Sequence, residues 1–178
     1  MKEYLDVLNE NGDKTGKTKL RDEIHRDGDW HSSVHIWLIC EDEVLVQKRS
    51  ALKESYPGCF DASAAGHVSA GEEIVVAAQR ECLEEIGVDI ADRTIIELGV
   101  LKLCIENVKT GFISNEFNHV LAVEIEKEQD YQIDSEEIEK LQWMSIESVY
   151  SEIEQGNKDY CVSLDEIELI RNRFGGKK

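Results

Sequence analysis

An α+β fold in one domain, residues 1–178, is the architecture this sequence predicts, on three observations. Apolar runs of strand length at about Val34 to Cys40, Val44 to Lys48, Ile95 to Ile105 and Glu116 to Ile125 are bounded by turn residues. A stretch from about Glu73 to Ile86 holds no Gly or Pro and is rich in Ala, Leu, Glu, Gln and Arg, which is helix composition. The 178 residues are 41% hydrophobic with a single Pro, enough for one core without disulfides or a structural metal.

Taken in order, Tyr4 to Leu8 alternates weakly into NENGDKTG, whose Asn-Gly and Thr-Gly steps mark a hairpin. Residues 1–30 thus read as a hairpin extension, with Lys17 to Arg26 charged and mixed and RDGDW forming a turn. The turn EDE joins the first two core strands, and Tyr56-Pro57-Gly58 turns the chain into Phe60 to Ala65. A turn at Lys109, Thr110 and Gly111 separates the next two strands. The acidic run from Glu124 to Glu139 reads as a solvated loop, and Leu141 to Met144 as a last strand. Two C-terminal helices are expected over about 146–173: Ile146 to Gln155, then Ser163 to Arg173, capped by Ser163 with Glu166 at N3.

The most specific signal is GHVSAGEEIVVAAQRECLEEIGV, Gly66 to Val88. With U for an apolar residue it fits G-x5-E-x7-R-E-U-x-E-E-x-G-U, through Gly66, Glu72, Arg80, Glu81, Cys82, Glu84, Glu85, Gly87 and Val88. At residue frequencies of about 7%, a chance match has odds on the order of one in a billion per start. At 100° per residue, Val75, Ala78, Cys82, Leu83 and Ile86 fall on one face of the helix, and Arg80, Glu81, Glu84 and Glu85 on the other. Carboxylates crowded on a solvated face cost only a few tenths of a kcal/mol per pair. In a cleft the repulsion rises to about 3 kcal/mol per pair and calls for a counter-cation. Carboxylates with no Cys or His on their face suit a hard ion, Mg²⁺ or Mn²⁺.

Net charge is −18, from 20 basic and 38 acidic residues, which argues against nucleic acid or an anionic membrane as a partner. An anionic substrate then needs a metal or local basic residues. Lys48, Arg49 and Lys53 form the only concentrated basic segment before the motif, and Arg49 and Lys53 are the candidate phosphate contacts. No apolar run is long enough to span a membrane and no signal region opens the chain, so a cytoplasmic location is expected. The five Cys show no C-x-x-C pair and read as reduced thiols. His35 and His119 lie in strand patterns as packed or edge residues.

The Gly66 to Val88 segment resembles the Nudix box, the signature of enzymes that hydrolyse a nucleoside diphosphate linked to another group. That resemblance implies an α/β/α sandwich, a mixed sheet between helices with the box as loop, helix and loop. It implies that Glu81, Glu84 and Glu85 hold the metal with Gly66, whose bare backbone approaches the site, and that Gly87 ends the helix in a left-handed cap. Glu72 falls off the metal face, so it meets the helix start or pairs with Arg80.

A second resemblance covers roughly residues 1 to 145. HRDGDWHSSVHIWL, QKRSALKESYPGCFDASAAGHVSAGE and SNEFNHV are similar to the type 1 isopentenyl-diphosphate isomerases and their hydrolase-like relatives. In those isomerases three histidines and two glutamates hold a metal. The matching positions here are His25, His31, His67 and Glu116, with Ser114 where the second glutamate belongs. Ala65 stands where the isomerase needs a cysteine to move a proton on carbon, and a methyl group cannot do so. The isomerase box is usually degraded, whereas every acidic position is intact here.

The expected function is therefore metal-dependent hydrolysis of a P–O–P linkage in a small-molecule diphosphate, with Glu81, Glu85 or Glu116 taking the proton of the attacking water. Isopentenyl-diphosphate isomerisation and a non-catalytic nucleotide-binding module are the alternatives. Substrate identity and oligomeric state, a homodimer included, stay open.

Overall fold

The structure, a computed structural model, describes residues 2–53, 55–107 and 111–176, with only the backbone of residue 107. Lys109 and Thr110 of the expected turn lie outside the described residues. In chain order the elements are β1 (Tyr4–Leu8), β2 (Lys14–Leu20), α1 (Arg21–Asp27), β3 (Trp30–Cys40), β4 (Glu43–Arg49), β5 (Phe60–Asp61) and β6 (Ala64–His67). There follow α2 (Ile74–Ile86), β7 (Ile95–Asn107), β8 (Phe112–Glu124), β9 (Ile138–Ser145), α3 (Ile146–Glu154) and α4 (Leu164–Phe174).

The described strands form a mixed sheet with β3 at its centre. Strand β3 runs parallel to β8 from Trp30 opposite Asn115 to Ile39 opposite Glu124, and antiparallel to β1, β4 and β6. A strand buried on both faces reads as a continuous apolar run, as Val34 to Ile39 nearly does. Val34, Ile36 and Leu38 pack toward α2 with Ala77, Ala78, Cys82 and Ile86. Trp37 and Ile39 pack the other way, with Ile146, Val149, Ile167, Ile170 and Phe174 of α3 and α4. The result is the α/β/α sandwich, and each fully buried aliphatic side chain contributes about 1.5–3 kcal/mol to it.

Several boundaries differ from those read in the sequence. Strand β3 begins at Trp30, four residues early, because the polar run His31, Ser32, Ser33 still pairs with Glu116, Phe117 and Asn118 of β8. Lys14 to Leu20 is a strand paired with β1, and Arg21 to Asp27 a short helix. The acidic segment after Glu124 is only partly a solvated loop. Ile125 is buried, while the Gln132 and Asp134 N–H groups donate to the Ile86 and Glu85 carbonyls at the end of α2, each at 3.0 Å. Strand β9 consequently starts at Ile138.

Helix α2 is rotated from its expected setting. Its buried residues are Ala77, Ala78, Glu81, Cys82 and Ile86, while Val75, Val76 and Leu83 are about half exposed. The buried stripe is turned by about 70° toward Glu81 and Glu85. The cause lies in β6, whose α2-facing residues Ala64 and Gly66 are small and leave room for a glutamate side chain against the strand. No described helix is long and apolar enough to cross a membrane.

Candidate active site

Alternation along β6 places two clusters on opposite sides of one strand. Gly66 lies opposite Val34 and faces α2, while His67 lies opposite Ser33 and faces away. A Cβ added at Gly66 would sit 2.1 Å from Oε1 of Glu81 and 2.2 Å from its Cδ. Glycine is required there for space alone, since its φ is not in the left-handed region.

On the α2 side, Arg80 organises the carboxylates. Its Nε and Nη2 donate to Glu72 at 3.0 and 2.9 Å, its Nη1 to Glu81 at 2.6 Å and to Glu84 at 3.3 Å, and its Nη2 also to the His67 carbonyl at 3.0 Å. Glu72 accepts from the Ser69 N–H as well, at 2.9 Å, so it ties the loop before α2 to Arg80. Glu85 accepts two bonds on one oxygen, Oε2, from Ala65 N at 3.1 Å and from Gln47 Nε2 at 3.2 Å. Burial pushes Glu81 up to about 7 against the opposing pull of Arg80. Burial likewise pushes Glu85 up to about 8, with the charge of Glu81 adding to the rise and the Ala65 N–H opposing it. Glu84 is exposed. Gly87 follows the helix at φ +72, its N–H returning to the Cys82 and Leu83 carbonyls.

On the other side, His25 from α1, His31 from β3 and His67 from β6 bring one ring nitrogen each within 4.8 Å of one another. The Nδ1 of His25 meets the Ile113 carbonyl at 3.2 Å and that of His31 meets the Asp29 carbonyl at 3.1 Å. Those contacts assign the proton to Nδ1 and leave each Nε2 a lone pair. Both Nε2 atoms are buried without a hydrogen-bond partner. Burial holds His67 well below the usual imidazole range, outweighing the pull of Glu116, and its histidine neighbours add to the effect. The Glu116 carboxylate is 4.0 Å from His31 Nε2 and accepts from Ser114 Oγ. Ser114 thus orients the one carboxylate of the cluster.

Arg49 and Lys53, the expected phosphate contacts, are already engaged. Arg49 donates through Nη1 to Asp61 at 2.9 Å, and through Nε and Nη2 to Ser55, both at 3.2 Å. Lys53 pairs with Glu137. Sequence reasoning missed Gln47, which reaches Glu85 from β4, and the pairing of His35 with Glu166 across 131 positions. Neither carries a local motif that would have singled it out.

The same architecture is found in the crystal structure of DR0079 from Deinococcus radiodurans. That structure superposes with a TM-score of 0.69 over 96% of this chain and 98% of its own, at 23% identity, a likeness of fold. The chain belongs to the Nudix family: the family model described as NUDIX domain matches residues 29–163. Nudix hydrolase 3 of Arabidopsis thaliana is 46% identical over 126 residues, 69% of this chain. An isopentenyl-diphosphate Delta-isomerase of Salmonella arizonae is 34% identical over 120 residues, 67% of this chain. The matched regions span only 16% and 64% of the lengths of those two relatives. His25 and Glu166 both lie outside the stretch that the family model matches.

Proposed function

We propose that the chain is a hydrolase of a P–O–P linkage in a nucleoside diphosphate or related small-molecule diphosphate, dependent on Mg²⁺ or Mn²⁺. The carrying observation is the pair of carboxylates packed beside β6, the buried Glu81 against Gly66 and the part-buried Glu85 on the Ala65 N–H. Burying two like charges is costly without a cation, and an all-oxygen donor set fits a hard divalent ion. Glu81, Glu84, Glu85 and the Gly66 backbone would hold it. When bound, such an ion supplies Lewis acidity that polarises a phosphoryl oxygen and offsets the charge developing as the bond breaks.

The chain's own residues do the rest. Arg80 keeps Glu81 and Glu84 aimed together, with Glu72 fixing Arg80 in turn. Because both bonds to Glu85 fall on Oε2, its Oε1 is left for the ion or for the proton of the attacking water. Glu116, oriented by Ser114, is the other candidate base. The partnerless Nε2 atoms of His25 and His31, with His67 and Glu116, fit a second ion of the kind that takes imidazole nitrogen.

A screen of phosphate and monophosphate release over nucleotide sugars, dinucleotides, coenzyme derivatives and isoprenoid diphosphates, with Mg²⁺ or Mn²⁺, tests the reading. Turnover is expected from the natural chain and its loss, with folding intact, from Glu84→Gln and Glu85→Gln. Undiminished turnover in both variants would remove the box from the mechanism. The histidine cluster supports a second reading, isopentenyl-diphosphate isomerisation. Ala65 opposes it, and formation of allylic diphosphate from isopentenyl diphosphate would establish it.

A further inference from the structure

On the α4 side of the sheet, Glu166 is a carboxylate only 1% exposed. Its Oε1 lies 2.8 Å from His35 Nδ1 and accepts from Trp37 Nε1 at 2.9 Å, while Asn118 Nδ2 donates to Oε2 at 3.5 Å. An apolar pair could tie α4 to β3 equally well, so a buried acid and imidazole at this place call for a use beyond packing. His35 lies opposite Ala65 on β6, and the Ala65 N–H is the one that holds Glu85. Paired residues of adjacent strands point to the same face, so the His35 ring neighbours the Ala65 methyl on the face of β6 away from Gly66, and β6, paired with β3 alone among the described strands, leaves its outer edge as the way from one face to the other. With Nδ1 held by Glu166 and the side chain still 16% exposed, the Nε2 edge is the one left to meet a ligand.

A diphosphate bound at β6 also needs positive donors, and Arg49 and Lys53, expected to supply them, are already paired, as is Arg80. Arg49 is spent on Asp61 and Ser55, Lys53 on Glu137, and Arg80 on three glutamates. We propose that His35 is a substrate-contacting residue whose Nε2–H donates to a phosphoryl oxygen of the diphosphate, and that Glu166 is the residue that positions it. The inference rests on the reading of β6 and the box as the active site, and it gives α4, outside the family match, a part in substrate binding. The charge state agrees: burial alone would lower His35, but the Glu166 carboxylate outweighs it and raises the imidazole to about 9.

The test uses methylenebisphosphonate with Mg²⁺, a P–C–P compound that cannot be hydrolysed, on the full chain. Binding is followed by calorimetry and by long-range ¹H–¹⁵N spectra of the histidine rings. In the natural protein, saturation with the probe is expected to shift His35 Nε2 and leave the Nδ1 signal in place. His35→Ala is expected to weaken the probe by about 10- to 100-fold, the loss of one hydrogen bond to a charged group. His35→Gln, which retains an N–H donor, should recover most of that loss, and Mn²⁺ affinity measured by spin resonance should be the same in all three proteins. Glu166→Gln should weaken the probe less than His35→Ala while broadening the Nδ1 signal. An unmoved Nε2 signal at saturation overturns the proposal even where a variant fails to fold, and so does full probe affinity in folded His35→Ala. If turnover still disappears in Glu85→Gln, the proposed function survives that result. Failure of the natural protein to bind the probe or Mn²⁺ overturns both.

Discussion

Replacing Gly66 by Ala isolates the close approach of β6 to Glu81. The new Cβ would begin 2.1 Å from Oε1, 2.2 Å from Cδ and 2.6 Å from Oε2 of that side chain, and contacts under 3.0 Å do not persist. The carboxylate must therefore retreat by about 1 Å, while Arg80 resists from the other side at 2.6 Å. Gly66 has an ordinary backbone conformation, so the methyl group adds no φ strain and its effect is steric. Overpacking of this kind costs about 1–3 kcal/mol, or about 2–12 °C in melting temperature for a chain of this length. A misplacement of about 1 Å in a group that must meet the reacting phosphate costs about 100-fold in turnover. Thermal denaturation and phosphate release under the same buffer and metal separate the two effects. Turnover within about threefold of the natural protein, alongside an unchanged melting temperature, would show that Glu81 does not need its place against Gly66.

Arg49→Ala strips the partner from Asp61, which is 4% exposed, and is expected to cost about 3 kcal/mol of stability while leaving KM nearly unchanged. A raised KM at constant melting temperature would instead restore Arg49 as a phosphate contact. In the presence of a chelator, stability should fall as pH rises from about 6.5 to 9. Glu81, Glu85 and His35 keep their protons in the folded chain to about 7, 8 and 9, above their unfolded values, so the unfolded state binds fewer protons across that window. His25, His67 and Glu116 are shifted downward and act in the opposite sense, but Glu116 is ionised in both states by about pH 6 and the histidine contribution fades by about pH 7.5, so the three upward shifts set the direction. Melting curves against pH check this, and Glu85→Gln should flatten the fall; a metal-free protein whose stability rises over that range would contradict the assigned shifts. Added Mn²⁺ should raise the melting temperature most at the alkaline end, where the carboxylates are charged, and an equal rise at pH 6 and pH 8.5 would argue against binding at Glu81 and Glu85.

The box was legible because its information is local: the spacing of Gly66, Glu81, Glu84, Glu85 and Gly87 fits one helix and its two loops. The setting of that helix was not legible, since the wheel weighs hydrophobicity and cannot see that Ala64 and Gly66 open a space beside Glu81. Val75 and Leu83 consequently lie exposed where burial was expected. The early start of β3 escaped notice because His31, Ser32 and Ser33 lack strand character of their own and are held by β8, more than 80 positions away. The gathering of His25, His31 and His67 followed from a resemblance, not from spacing, and the geometry now gives it a physical basis in two partnerless buried nitrogens. The ion pairs of Arg49 and Lys53 were not legible, because the sequence shows a charge without its partner, and Asp61 on β5 and Glu137 just before β9 lie elsewhere in the chain.

Hydrolysis by the proposed route requires the box carboxylates to surround a divalent ion. Anomalous scattering from crystals soaked in Mn²⁺ tests it most directly. A peak bounded by Glu81, Glu84, Glu85 and the Gly66 carbonyl is expected, whether or not a second peak appears among the histidines. Density confined to His25, His31 and His67, with the three glutamates turned to solvent and nothing between them, would contradict it.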